Sequence, residues 1–556
     1  MPVYKFNMFG GINYADDAAG LLLRSHGYQN GVWSHKLDAY GRPIGVEAAK
    51  GQNFDLERGN LLKRRGSTSY ADFTVGDLNI FLTADVVVLG PVEVLLPATG
   101  AYARFVVSKK TIYTDQSGTW VQINNSGGTA YTHADQTVTS ASIVVTDGGV
   151  LIGLNKGNKI QHYRSGTGLQ AALDNGNNYT DSGGTVNVVT GTWGTGYDRL
   201  AVFNGRLVFN DGTSTVQYTD VNQPWDLAGG GNFPAEGSVI GLRTHIPQFA
   251  TVQTAILYIG TSVGWNFTSD LAVRNNINGS PAPINDKSII ETRNWIMYLT
   301  ARGDIYGING NRVIDLGRRL KARDGTTGPL DTINLANSLT VANGYYDDTK
   351  TQAGWLISTA ASGNPNATVV IDLQLGEPVL DEPLTSYEQH VRCLKWAGQD
   401  YVSVQYTQSG LVGARSTGIF WTLDSGYSDY GATAITKQWF SPLLDGGAPA
   451  NPKSWMVWFG RGVNAGSWNV QGDYLRDRDN ISVKTFQFGQ GGSEAFYDTD
   501  VYDTGLYSAE GLITGSDDTD IVSETLQIEL SQSAAAQNCT ITSMEQHYDV
   551  LVEERG

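Results

Sequence analysis

At 556 residues the chain is too long for one hydrophobic core, so roughly two to four domains are expected. With 67 glycines against 5 methionines and only 17% charged residues, a largely helical protein is excluded. The formal charge of −17 excludes nucleic-acid binding driven by overall charge, because affinity for phosphate rests on Lys and Arg displacing counterions.

Residues 1–75 read as irregular. Nothing after Met1-Pro2-Val3-Tyr4-Lys5 makes the apolar stretch of a signal peptide. Asp16 to Arg24 has acids at its start and a base at its end, enough for a turn or two of helix. The rest reads as an extended N-terminal arm with glycine joints at Gly31, Gly41, Gly45, Gly51 and Gly59. An arm that cannot bury its own apolar residues is expected to lie on something else. Within it, Arg58, Lys63, Arg64 and Arg65 form a basic ribbon bounded by Gly59 and Gly66. In an acidic protein the expected role of that ribbon is pairing with carboxylates of a neighbouring subunit; a solvated turn and a contact with DNA phosphate are the other readings.

From Tyr102 onwards, short apolar runs alternate with Gly, Asn and Asp turns. Leu200 to Phe203, Asn204-Gly205 and Arg206 to Phe209 make the clearest hairpin, since Asn-Gly supplies the positive φ angles of a two-residue type I′ turn. Comparable meanders are expected over Ser142 to Tyr163, over Trp295 to Leu316 and over Val391 to Leu423, the last turning at Gly398-Gln399. Adding Tyr102, Ala255 and Trp355 gives about seven such starts, spaced by roughly 40 to 60 residues, the span of a four-stranded propeller blade. An all-β fold with a β-propeller over 76–440 is therefore expected, with a stack of β-sandwiches as the rival. A second basic cluster, Arg318, Arg319, Lys321 and Arg323, falls in a loop of this region and is assigned the same interface role. A turn-rich break at Asp445-Gly446-Gly447-Ala448-Pro449 leads into 441–556, whose runs suffice for one antiparallel β-sandwich.

The chemistry-bearing residues point away from an enzyme. Seven histidines are scattered, and no G-x-S-x-G, H-E-x-x-H or P-loop pattern occurs. Asp498, Asp500 and Asp503, like Asp517, Asp518 and Asp520, could offer oxygen ligands, but neither group follows the calcium-loop spacing; they are expected to be turns. Thr422-Leu423-Asp424-Ser425-Gly426 is similar to the start of the Asp-box hairpin of sialidase propellers, with its aromatic displaced to Tyr430. The 13 tryptophans are expected in the core rather than on a sugar-stacking face. Cys393 and Cys539 are too few for a disulfide framework and are expected as buried thiols. No cofactor, metal or catalytic residue is expected, and no run of apolar residues offers a membrane span.

Gly10-Gly11-Ile12-Asn13, then Asn53-Phe54-Asp55-Leu56-Glu57-Arg58-Gly59 and Leu62-Lys63-Arg64-Arg65-Gly66, resemble the opening of tail proteins of tailed bacteriophages, including the nozzle or packaged-DNA stabilisation proteins of short tails. Tyr218-Thr219-Asp220 with Pro224-Trp225 fits the same order. So do Val239 to Leu242 leading to Ile256 to Gly260, and Trp439-Phe440-Ser441-Pro442 leading to Pro452-Lys453-Ser454. Arg65 stands where the family pattern often carries proline. The resemblance implies a virion tail protein assembled in the host cytoplasm as a homo-oligomeric, typically hexameric, ring. It would sit below the portal and adaptor, contact tail fibre or spike proteins, and enclose a DNA channel that retains and then releases the genome without specific binding. A peripheral tail protein that binds or processes host-surface glycan through a propeller face is the alternative.

Overall fold

The computed structural model describes residues 2–6, 9–12, 26–29, 32–35, 46–57, 60–63, 65–70, 85–96, 99–116, 119–246, 255–293, 295–322, 328–359, 365–373, 392–397, 401–415, 419–426, 428–430, 433–448, 450–463, 468–476, 482–490, 512–533 and 539–551. These residues are mostly β, arranged in many small sheets, with one α-helix among them, Leu335–Val341.

Seven sheets follow one another along the chain, antiparallel except where Phe9–Ile12 pairs with Val46–Ala48 at the edge of the sixth. Their first strands are Val87–Leu95, Ala141–Thr146, Arg199–Phe203, Val239–His245, Ile289–Glu291, Asn343–Asp347 and Tyr401–Thr407. Each of the first five sheets is a four-stranded meander. The third shows why the sequence folds this way. Leu207, Val208 and Phe209 are buried, and the turn that reverses the chain holds Asn204 at φ 47° and Gly205 at φ 73°, the positive pair that the Asn-Gly signal predicts. Second strands such as Gly149–Leu154, Ile296–Leu299 and Gln352–Ile357 are buried along their whole length, which explains their unbroken apolar character.

Two sheets depart from simple meanders. The seventh takes its fourth strand from the N-terminal region: Ser67, Thr68 and Ser69 pair with Leu423, Thr422 and Trp421. The sixth is extended at its edge by Phe9–Ile12, through Ile12 and Cys393. The expected hairpin about Gly398-Gln399 is corrected here. Strand Arg392–Ala397 ends the sixth sheet and Tyr401–Thr407 begins the seventh, each pairing with other partners. Turn residues mark a reversal of the chain, and a reversal serves equally inside a sheet and between two.

Apolar clusters join each sheet to its neighbours. Leu151 of the second sheet packs with Leu200 and Phe209 of the third, and Tyr258 and Trp265 of the fourth with Ile296 and Tyr298 of the fifth. The first and seventh sheets also share a cluster, in which Trp120 stacks on Phe420 at 6.5 Å.

Asn178–Thr180 pairs with Val186–Val188 and Ser428–Asp429 with Thr433–Ala434 as two-stranded ribbons, and the remaining strands form two larger sheets. One runs Leu512–Ser523, Lys453–Val463, Thr540–Val550, Val3–Phe6, Val32–His35 and His26–Gln29, with the hairpin Phe54–Glu57 and Asn60–Lys63 attached through Leu61 and Ile541. The other runs Ser482–Gln490, Trp468–Arg476, Leu526–Gln532, Lys437–Phe440 and Lys50–Gln52. Trp458 of the first meets Phe486 and Phe488 of the second, with ring centroids 4.6 and 5.2 Å apart.

The described part of 1–75 is thus built into the chain's own sheets. It does not leave the body as an arm. Tyr4 and Phe6 are fully buried and alternate with Lys5, and Tyr4 stacks on Tyr548 at 5.3 Å while its hydroxyl accepts from the Gly446 N–H at 2.6 Å. Asp16 to Arg24, the expected helical turn, lies outside the described residues. Asp517, Asp518 and Asp520 lie on strand Leu512–Ser523 rather than in a turn. Asp520, at φ 48°, sits where the pairing with Lys453–Val463 shifts register, a bulge that absorbs one extra residue. Asp498, Asp500 and Asp503 lie outside the described residues.

Candidate functional site: the cavity lined by seven first strands

A cavity of about 530 Å³ receives side chains from the first strand of every one of the seven sheets. Its charged wall is built from a short segment that a cap holds in place. The Asn285 side chain accepts from the Ser288 N–H at 2.8 Å, fixing the 3-10 turn Asp286–Ser288. Its amide also donates to the Ser338, Leu339 and Ala342 carbonyls at the end of helix Leu335–Val341, of which Ser338 also accepts from the Ala342 N–H. Trp355 Nε1 donates to the Ser288 carbonyl at 3.0 Å from the other side. Asp286 and Lys287 are therefore presented on a rigid turn.

Arg243 crosses from the fourth first strand to this turn. Its Nη1 donates to Asp286 Oδ1 and to the Leu242 carbonyl, both at 2.8 Å, and its Nη2 to the Asp286 and Ile289 carbonyls at 2.9 and 3.1 Å. Glu291 stands 3.9 Å from Arg243 Nε. Burial pushes the Glu291 carboxyl up, Arg243 draws it down, and Asp286 adds to the rise. Because 44% of that side chain is open to the cavity, water there screens the effect, and it carries little weight in stability. Asp198, almost fully buried beside Arg199, is likewise raised by burial and partly restored by Arg199.

Lys287 reaches from the fifth sheet to the first, where its Nζ donates to the Val88 carbonyl at 3.1 Å. Burial lowers its amine to about 8, against the opposing pull of Asp286 and Asp198. Replacing Arg243 by lysine keeps the charge but loses the planar fork that serves four acceptors at once. Arg243→Lys is expected to lower the unfolding free energy by about 1–3 kcal/mol in urea titrations; no change would show that the fork is idle.

The basic residues singled out in the sequence lie elsewhere. Arg58, Arg64 and Arg323 are outside the described residues. Lys63 is buried, at 1% exposure, on the hairpin strand Asn60–Lys63, and its N–H donates to the Cys539 carbonyl, so it is an internal cation rather than part of an exposed ribbon. Arg65 is exposed just before the strand that completes the seventh sheet. Arg318 and Arg319 lie in the 3-10 turn Arg318–Leu320 after the fifth sheet, with Arg318 exposed, and Lys321 forms an ion pair with Asp304. The two clusters thus belong to different sheets.

The segment similar to an Asp-box helps to hold the chain together. Asp424, at φ 54°, pairs with Lys350 at 3.3 Å, and the Ser425 N–H donates to the Gly66 carbonyl. Trp120, Trp265, Trp355, Trp439, Trp455 and Trp458 are core residues, each 2% exposed or less. Cys539 is a buried free thiol, as expected; nothing is described of the Cys393 side chain. Among the described residues no group of three or more His, Cys, Asp or Glu could hold a metal ion, and no helix is long and apolar enough to cross a membrane.

Sequence reasoning missed Arg243, Asp286, Lys287 and Asn343. They are isolated along the chain, and only the succession of first strands brings them to one cavity.

One histidine provides a pH test of the interior. His162 is fully buried, stacked on Tyr179 at 4.2 Å, with Nε2 at 3.2 Å from the Gly148 carbonyl and Nδ1 without a partner. Burial lowers its pKa from 6.5 to about 4, with Gly148 opposing and Arg164 adding to the drop. Below pH 6.5 the unfolded chain takes up a proton that the folded chain refuses. Stability is therefore full above about 6.5 and falls as the pH drops towards 4, by roughly 3 kcal/mol in all. His162→Phe should remove that acid-sensitive component from urea midpoints measured across this window; an unchanged pH profile would refute the assignment.

Comparison with known proteins assigns the chain to no family. No protein-family model matches it, and no curated protein matches it. Solved structures give distant likenesses. A computationally designed protein, Ika8, is 12% identical with a TM-score of 0.34, over 65% of this chain and 99% of that one. A chain of the mitotic checkpoint complex is 11% identical with a TM-score of 0.35, over 64% and 95%. Hsv2 of Kluyvelomyces marxianus is 8% identical with a TM-score of 0.30, over 52% and 72%. Likenesses of that size carry no argument. The class stated here is the one the strands themselves define: an all-β chain of small sheets whose first strands share a cavity.

Proposed function

We propose that the seven sheets close into a seven-bladed β-propeller and that the two larger sheets form a sandwich beside it. We further propose that the protein is the ring-forming nozzle or hub of a short phage tail, below the portal and adaptor. The observation that supports a mechanical role is the double stitching of the chain. Strand Ser67–Ser69 completes the seventh sheet, while Val3–Phe6 is hydrogen-bonded to Thr540–Val550 near the other end of the sequence. Opening the seventh sheet must break the Ser67–Ser69 ladder, and separating Val3–Phe6 from Thr540–Val550 must break another, a property suited to a part that bears load. The order of tail-protein motifs along the chain is what favours a nozzle or hub as that part.

The charge of −17 fits a passage through which DNA moves without sticking. The purified protein should bind duplex DNA with a dissociation constant weaker than about 1 µM at physiological salt. Tighter binding would contradict a lubricated channel. The burial of the tryptophans named above gives the glycan-processing alternative no stacking face among those residues. Mass measurement of the assembled protein provides the direct test: a closed ring, six copies by the resemblance, supports the nozzle, and a stable monomer under tail-assembly conditions opposes it.

A further inference from the structure

Lys437 and Lys453 are both fully buried in the two larger sheets, and their amines are held differently. Lys453 Nζ donates to the Ala448 carbonyl and, at 2.6 Å, to the Glu524 carbonyl, as a structural ammonium requires. Among the described residues, the one hydrogen-bond partner of Lys437 Nζ is the sulfur of Cys539, 3.3 Å away and itself fully buried. Sulfur is a weak acceptor, so this contact does little for the stability of a buried amine. It does set a nitrogen that can act as a nucleophile against a sulfur that can be oxidised.

Backbone ladders on both sides fix the approach. Lys437 opens strand Lys437–Phe440 and pairs with Gln532, while the Cys539 carbonyl accepts from the Lys63 N–H. The two residues are 102 apart in sequence and belong to different larger sheets. Both stand at strand ends: Lys437 follows exposed Thr436, and Cys539 directly precedes Thr540–Val550. Strand ends open more readily than strand centres, which gives a small oxidant its way in.

We infer that Lys437 and Cys539 form a modification site, at which hydrogen peroxide drives closure of a covalent sulfur–nitrogen link between the two larger sheets. In the first step the sulfur attacks peroxide: an S–O bond forms, the O–O bond breaks, and the departing hydroxide leaves as water with the thiol proton. The sulfur has then lost two electrons and is a sulfenic acid. In the second step the neutral Lys437 amine attacks that sulfur, the S–O bond breaks, and hydroxide leaves as water with one amine proton. Thiol, amine and one peroxide thus give the link and two waters. Burial holds the amine as the nearest nucleophile and keeps out the second peroxide that would carry the sulfur on to sulfinic acid. Excess thiol reverses the link, returning amine and Cys539 thiol as the added thiol becomes a disulfide. The site is independent of the tail assignment, and its failure would leave that assignment intact.

Treatment of the full-length protein with a small excess of hydrogen peroxide, followed by unfolding in dimedone and peptide mapping by mass spectrometry, decides the matter. Fragments carrying Lys437 and Cys539 are expected to be joined with the loss of two hydrogen atoms, and dithiothreitol should release them. The urea midpoint of the two larger sheets should rise with the link and return to its starting value after reduction. Lys437→Met keeps the length and burial of the side chain without its nucleophile, so its Cys539 sulfenic acid should persist and be captured by dimedone. Cys539→Ser should lose both signals. A chain unfolded in urea before oxidation should form about tenfold less of the link or lower, because the fold supplies the proximity. The parent's own fragments carry the test even where a variant fails to fold. The inference is overturned if Cys539 of the folded protein stays a free thiol, if it passes to sulfinic acid with Lys437 unmodified, or if the unfolded chain links equally well.

Discussion

A chain lacking residues 1–70 is expected to lose cooperative folding of the two larger sheets and to open the seventh sheet, rather than to persist as a folded body without its arm. The deletion removes Tyr4, Phe6, Phe54 and Leu61, all fully buried in one cluster with Trp439, Trp455 and Trp458. At about 1.5–3 kcal/mol for each buried apolar side chain, the loss is on the order of 10 kcal/mol, comparable with the whole stability of an ordinary domain. It also strips backbone partners from Thr540–Val550, Lys437–Phe440 and Phe420–Leu423 at once. Limited proteolysis and urea unfolding followed by tryptophan fluorescence are the readouts. Rapid cleavage beyond residue 433 and a much reduced midpoint are predicted; a truncated protein with the parent's midpoint and denaturant slope would show that these strands are dispensable.

Trp458→Ala is the point substitution with the largest expected effect. Trp458 is 1% exposed and wedged between Phe486 and Phe488 of the facing sheet, and a Cβ on its near neighbour Gly460 would stand 2.2 Å from its ring. The indole thus fills the space between two sheets with no slack to collapse into. Removing it leaves a cavity bounded by aromatic rings, at a cost of about 3–5 kcal/mol. Differential scanning calorimetry should show a lowered transition for the unit built from the two larger sheets, while Trp458→Phe recovers much of the loss. A shift confined to a few tenths of a kcal/mol would mean that the two sheets do not pack through this residue.

The sequence is most legible where a signal is local. Asn204-Gly205, Asp147 to Gly149 and Asn309-Gly310 each turn the chain where turn chemistry requires, because the φ angles are properties of those residues alone. It is least legible where a strand's partner is remote. Val3–Phe6 has four residues, too few for a pattern, and its neighbour lies at the far end of the chain. Nothing in Val3-Tyr4-Lys5-Phe6 encodes that partner. The basic residues drew notice because they cluster in sequence, yet Lys63 is interior. Arg243 and Asp286 drew none because 43 residues separate them, although their contact is one of the best-formed in the cavity wall. Charge runs are visible before folding, whereas charge pairs across sheets exist only after it.

The account's central claim is that this chain forms an axial ring of a short tail. Electron-microscopic class averages of isolated tails, with a tag on this protein marked by an antibody fragment, test it most directly. The account predicts labels arranged with rotational symmetry around the axis at the head-proximal end, enclosing a channel. Labels confined to the tail's periphery, or absent from the particle, would contradict it.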